Sequence, residues 1–202
     1  MLMALADNAM SSVNSFKIKK YIWPYSQRHI SNLMRGSVFQ ITTFIEQTAS
    51  WVKRFGTVVA IRKGVPHTNV HLALLVSIEA TGVYILIGNN EVFLAAVYKS
   101  PSRAWNDADI MKLLPVRRKA VLADDLNAKN PFWNSAVSNF SGEKLLDLFD
   151  NNEFEISAPQ SPTRYSPAGN GDVLDIVVHQ NHHPINPLVC WTRLASYLKR
   201  SY

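Results

Sequence analysis

Asp125 and Asn127 stand two residues apart where an apolar run, residues 121–123, gives way to polar sequence. On an extended chain, residues two apart project from one face, so a carboxylate and an amide are presented together. An ionised carboxylate orients or deprotonates a water, and an amide donates to a phosphate oxygen. The same Asp-Leu-Asn also suits an Asx-type turn at a strand end, and the local sequence leaves both readings open. Asp175 is the one charge in the apolar run 173–178, where an unpaired carboxylate is costly. It reads as the partner of a histidine or metal, or as a charge at the strand's edge. Tyr98 closes the run 91–98 just before Ser100-Pro101, so its hydroxyl either reaches a site at the strand end or is the wet tip of a packed ring. Thr163, after Pro162, offers a hydroxyl to a phosphate or to turn chemistry. Glu46 and Glu79 are the well-separated upstream carboxylates that could hold a metal with Asp125. His182 and His183 are adjacent, so on regular structure they point apart, and they read as a solvated loop rather than as joint ligands.

These residues need a scaffold of strands. Residues 57–61 (TVVAI) form a β-branched run ended by Arg62-Lys63-Gly64. Residues 71–78 and 83–87 read as two more strands with a turn at Thr81-Gly82, and 91–98 as a buried strand. Asn106 caps a helix running through Leu114, which Pro115 ends. Residues 119–123 form the strand that delivers Asp125. Ser141 caps a second helix, 142–149, with Leu145, Leu146 and Phe149 at helical spacing. Residues 154–157 form a short strand, 159–170 a loop and 173–178 the last strand. Upstream, the apolar positions of residues 38–51 fit a helix loosely. Short turns between consecutive strands imply an antiparallel or mixed meander.

Composition bounds the rest. A chain of 202 residues, 47% hydrophobic and 18% charged, is globular material for one domain. The net charge of +6 suits a polyanion partner. Six acids lie in residues 1–120, and the other nine of the 15 lie between Asp124 and Asp175, gathered around the candidate site. A single cysteine, Cys190, excludes a disulfide framework and a cysteine zinc cluster. No run approaches the roughly 18 apolar residues of a membrane helix, so a soluble, intracellular protein with no membrane partner is expected.

Six blocks, TVVAIRKGVPHT, LAAVYKSP, LADDLNAKNPFWNS, NFSGEKLLDLF, SPTRYSP and GDVLDIVV, occur in the order and spacing of one family. The chain resembles the endonuclease domain of jockey-like non-LTR retrotransposon polyproteins, within the endonuclease/exonuclease/phosphatase superfamily. The resemblance covers about residues 56–178, with a basic segment 1–55 before it and a basic tail 179–202 after it. It implies an α/β fold, a four-layer α/β/β/α sandwich that is incomplete here. It also implies a divalent cation, usually magnesium, hydrolysis of a DNA phosphodiester, ancestral fusion to a reverse transcriptase, and the nucleus as workplace if genomic DNA is the substrate. Asp125 matches the water-activating acid, Asn127 the phosphate-binding amide, Tyr98 the phosphate-contacting tyrosine, and Asp175 the aspartate that hydrogen-bonds a terminal catalytic histidine.

The departures shape the expectation. The family's glycine before the catalytic aspartate is here Asp124, which adds a like charge and removes backbone freedom. The following Lys-His is Lys129-Asn130. The closing Ser-Asp-His-x-Pro block is absent; His183-Pro184-Ile185 imitates its end. The opening Asn block and metal-binding Glu-Thr are not recognisable, with Glu46-Gln47-Thr48 a weak echo. The expectation is therefore a degenerate or inactive retroelement endonuclease. The alternatives are a non-catalytic basic nucleic-acid-binding remnant and a phosphomonoesterase of the same superfamily, which would share Asp125 and Asn127.

Overall fold

A computed structural model describes residues 2–4, 16–22, 41–48, 55–62, 65–87, 89–114, 119–165, 169 and 171–180. The β-branched run near residue 57 becomes β4 (Phe55–Arg62), which pairs antiparallel with β2 (Phe16–Ile22) and β3 (Ile41–Thr48). With β1 (Leu2–Ala4) they form a four-stranded sheet in the order β1-β2-β4-β3. Of the helix expected over residues 38–51, residues 41–48 are strand instead, and the rest lie outside the described residues. Ile41, Thr42, Thr43 and Ile45 are β-branched, and such side chains lose rotamer freedom in a helix but fit a pleated surface. A partner strand decides the outcome. Strands upstream of residue 56 accordingly pair into the same sheet as β4.

The second sheet has six strands in the order β5-β6-β7-β8-β12-β9. They are β5 (His67–Val70), β6 (Ile78–Ile87), β7 (Asn90–Lys99), β8 (Lys119–Asp125), β12 (Asp175–Gln180) and β9 (Phe154–Ser157). A two-stranded ribbon joins β10 (Arg164–Tyr165), within the loop expected over residues 159–170, to β11 (Gly171–Asp172) just after it. The β7–β8 pair is parallel and the other neighbours are antiparallel, so the meander is mixed. Residues 71–77, expected to be strand, are not.

The turn expected at Thr81-Gly82 lies instead in the middle of the ten-residue β6. Gly82 is there for space: a Cβ would meet the Phe93 ring at 2.6 Å. Its neighbour Thr81 points to the other face, where its hydroxyl meets the Thr57 hydroxyl at 2.7 Å and the Thr57 carbonyl at 2.8 Å. That buried contact joins the two sheets face to face.

Two helices among the described residues cover the opposite face of the six-stranded sheet. They are α1 (Asp107–Leu113) and α2 (Phe140–Asn151). Ile110, Leu113 and Leu145 pack there with Phe93, Leu122 and Ile176 in one continuous core. Three layers of the expected sandwich, sheet on sheet with helices outside the second, are therefore described. Asn106 caps α1 by accepting from the Ala108 N–H at 3.1 Å. The cap of α2 is Asn139, two residues earlier than the expected Ser141.

Candidate active site

Alternation along the strands sorts the candidates by face. In β8, Ala120 and Leu122 belong to the helix-side core, so Asp125 shares the other face, turned toward the first sheet. In β12, Ile176 and Val178 lie on the helix side, which gives Asp175 the face of Asp125. The register pairs Asp175 directly with Asp125. The parallel β7–β8 register ends at Ala96 and Ala123, and Tyr98 and Asp125 each lie two residues further along these neighbouring strands. Glu79 is paired with Tyr98 across β6 and β7. One end of the sheet therefore carries two cross-strand pairs, Glu79 with Tyr98 and Asp125 with Asp175, on four neighbouring strands. All four are buried.

The strand end is shaped by a turn. The Asp125 Oδ1 accepts from the Asn127 N–H at 2.8 Å, and Asn127 takes a left-handed conformation with φ 46°. Asparagine tolerates this region better than most residues. The Asx-type turn is therefore real, and it is also what sets the Asn127 amide beside the acid; the two readings of Asp-Leu-Asn coincide. The Asn127 Nδ2 spends one hydrogen on the Lys99 carbonyl at 2.7 Å, leaving a second N–H and Oδ1 on the amide.

Asp124 has φ 114°. That conformation costs an L-residue and is free to glycine, so a strained residue stands beside Asp125.

The electrostatics follow from burial. Burial, then the charge of Asp125, pushes the Asp175 carboxyl above the usual carboxylate range. Lys99 is 2% exposed, donates to the Ser100 carbonyl at 3.2 Å, and has its pKa lowered by burial against the opposing pull of Asp125. An acid pair and an ammonium thus meet where β7, β8 and β12 end.

The other candidates are placed differently. The Thr163 hydroxyl oxygen accepts from the backbone N–H groups of Leu174 and Asp175, at 3.0 and 3.2 Å, and so fixes the start of β12. Glu79 lies two strands from Asp125, roughly 10 Å at the spacing of neighbouring strands, and sits 3.9 Å from the Arg103 guanidinium. Glu46 lies in β3 opposite Val58 and is placed by its backbone alone. His182, His183 and Cys190 lie outside the described residues.

Two residues that sequence reasoning passed over matter here. Asn139 ties the loop after Asn127 to α2, and Asp172 pairs with Lys129 at 2.5 Å. An asparagine preceding a helical run was the available signal for the first. The second depends on the β10–β11 ribbon and has no local signature.

Among the described residues no three His, Cys, Asp or Glu side chains converge as a metal cage. Magnesium is commonly held by one or two carboxylates, completed by water and substrate phosphate. Asp125 and Asp175, two oxygen-donor carboxylates brought together against their own repulsion, fit that demand. No helix among the described residues is long and apolar enough to cross a membrane.

The comparisons agree with this architecture. The chain is similar to the RNA-directed DNA polymerase from mobile element jockey of Drosophila funebris, with 27% identity over 114 residues. That match covers 56% of this chain and 12% of the jockey protein, so the chain spans about an eighth of its relative's length. Among solved structures it is similar to the endonuclease domain of TRAS1, a telomere-specific non-LTR retrotransposon. The TM-score is 0.58 at 16% identity, over 69% of this chain and 65% of that one, which shows an endonuclease fold of the endonuclease/exonuclease/phosphatase type. The family described as endonuclease-reverse transcriptase matches residues 92–198, more than half of the chain. The chain belongs to the endonuclease-reverse transcriptase family.

Proposed function

We propose that this chain is a retroelement DNA endonuclease domain that hydrolyses phosphodiesters with a divalent cation, at a reduced rate. The observation that carries the reading is the placement of Tyr98, Asp125 and Asp175 at one end of three adjacent strands, with the Asn127 amide beside Asp125. In this reading Asp125 orients the attacking water, and the second N–H of the Asn127 amide donates to a phosphate oxygen. The Tyr98 hydroxyl contacts the same phosphate. Magnesium held by Asp125 and Asp175 would supply charge neutralisation at the phosphate. Fusion to a reverse transcriptase, and nuclear action on genomic DNA, belong to the same proposal.

The reduced rate rests on the chain's own sequence. Asp124 adds strain and charge beside Asp125.

A supercoiled-plasmid nicking assay with magnesium tests this. Slow nicking that Asp125→Ala abolishes is expected; robust nicking by the Asp125→Ala protein would sink the site assignment. Robust nicking by the unmodified chain would refute the reduced rate. A second reading, a non-catalytic nucleic-acid-binding remnant, is favoured by the +6 charge. It predicts salt-sensitive DNA retention without nicking.

A further inference from the structure

We infer that Asn139 is a positioning residue that locks Asn127 in its left-handed conformation and couples the site loop to α2. The inference rests on the reading of Asn127 as the phosphate-facing amide. Asn139 stands at a crossing of chain segments. Its Nδ2 donates to the Asn127 carbonyl at 2.9 Å. Its Oδ1 accepts from the Lys129 N–H at 2.9 Å and from the Gly142 N–H at 2.8 Å. Its backbone N–H donates to the Lys129 carbonyl at 3.0 Å.

The side-chain orientation is fixed by chemistry. Two backbone N–H groups converge on one end of the amide, so that end is the oxygen, and the nitrogen faces the Asn127 carbonyl. The contact could not be made by Ser, Thr or Asp, which cap helices as well as Asn but bring no N–H donor for Asn127. Capping alone therefore does not explain an asparagine here.

Gly142 completes the coupling. A Cβ at that position would lie 1.8 Å from the Lys129 carbonyl oxygen, so the first turn of α2 presses directly on the site loop. Asn127 is then held at three points. Asp125 accepts from its N–H, Lys99 from its side chain, and Asn139 donates to its carbonyl. Only the last of these comes from outside the sheet.

The test separates capping from positioning. Asn139→Asp keeps both acceptor duties and loses the donor; Asn139→Ser keeps a cap but is too short to span to Asn127. Site-resolved amide hydrogen exchange is measured on the full chain and both variants, with the α2 amides as internal control. The expected result is exchange at the Asn127 N–H faster by tenfold or more, with α2 protection unchanged in at least one variant. Unchanged exchange at Asn127 in both variants, or loss of protection at Asn127 and α2 together in both, would overturn the proposal. In plasmid nicking, kcat should fall about tenfold or more with KM within twofold. If the unmodified chain does not nick, the proposed function fails while the exchange result still decides the role of Asn139.

Discussion

Asp175 lies directly across from Asp125 in the register of β12 on β8, two buried carboxylates on one face of the sheet. Burial and the charge of Asp125 raise the pKa of Asp175 above its ordinary value near 3.8. A carboxyl with a raised folded-state pKa destabilises the fold at high pH, and the penalty is relieved as pH falls through the folded-state pKa toward the unfolded value. Asp175→Asn should therefore raise the thermal midpoint by a few degrees at pH 7, with the gain shrinking to nothing below about pH 4. Nicking should fall at the same time. Magnesium that binds the folded pair should raise the midpoint of the unmodified chain and leave Asp125→Ala unmoved. Differential scanning calorimetry across pH, with and without magnesium, checks the midpoints, and plasmid nicking checks the activity. A midpoint lowered by Asp175→Asn at pH 7 would contradict the repulsion between the two acids.

Asp124 makes a second, opposite kind of prediction. Its φ of 114° is a conformation that glycine adopts freely. Strain of this type costs on the order of 1–3 kcal/mol. Asp124→Gly also removes a like charge from beside Asp125. The variant should unfold at higher denaturant concentration with an unchanged slope, by about 1–2 kcal/mol after the entropy glycine adds to the unfolded chain. If the strain also misplaces Asp125, nicking should rise with stability. A destabilised Asp124→Gly would show that the side chain outweighs the backbone cost.

Where the sequence could be read, it was because local chemistry and tertiary context pointed the same way. The apolar run ending at Asp125 became β8, the Asn106 cap formed as expected, and β9 spans residues 154–157. The failures have a common cause. Gly82 resembles turn chemistry in sequence, but the Phe93 ring on the next strand claims its space. The stretch around residues 41–48 has mixed periodicity, and β4 decides that it is strand. At the site, Asp125 and Asn127 were visible as a pair, whereas the sheet end they share with Glu79, Tyr98 and Asp175 needs a strand order that no local pattern encodes. Asn139 was hidden because its partners lie 10 and 12 residues back along the chain.

Asp109 is the clearest residue with no sequence signal. It looks like an ordinary acid in the first turn of a helix, yet it is 0% exposed. Its carboxylate accepts from the Val76 N–H at 2.9 Å, the Ser77 N–H at 2.6 Å, the Ser77 hydroxyl at 2.8 Å and the Ile78 N–H at 3.3 Å. It thereby fixes the entry into β6, two residues before Glu79. Asp109→Ala strands several buried donors, each costing about 1–3 kcal/mol when unsatisfied, so a loss of roughly 3 kcal/mol or more is expected. Asp109→Asn keeps one acceptor oxygen and should lose less. Urea unfolding of both variants checks the order; equal losses would mean that charge and not donor satisfaction matters.

His179 gives the chain a pH dependence on the acid side. It is 3% exposed in β12, with Nε2 3.3 Å from the Ser157 hydroxyl and 3.7 Å from the Glu155 carboxylate. Its Nδ1 is buried without a hydrogen-bond partner among the described residues. Burial lowers its pKa, and Glu155 only partly offsets that. Because the folded-state pKa lies below the unfolded value of about 6.5, the unfolded chain takes up the proton first. Stability is then full above about pH 6.5 and falls as pH drops toward the folded-state pKa. Asp175, whose pKa is raised by burial, acts in the opposite direction as pH falls, so the two are separated by substitution. His179→Gln in the Asp175→Asn background should flatten the slope of stability that sets in as pH falls below about 6.5, whereas Asp175→Asn alone should leave it steep. A slope that persists without His179 would place the titrating group elsewhere in the chain.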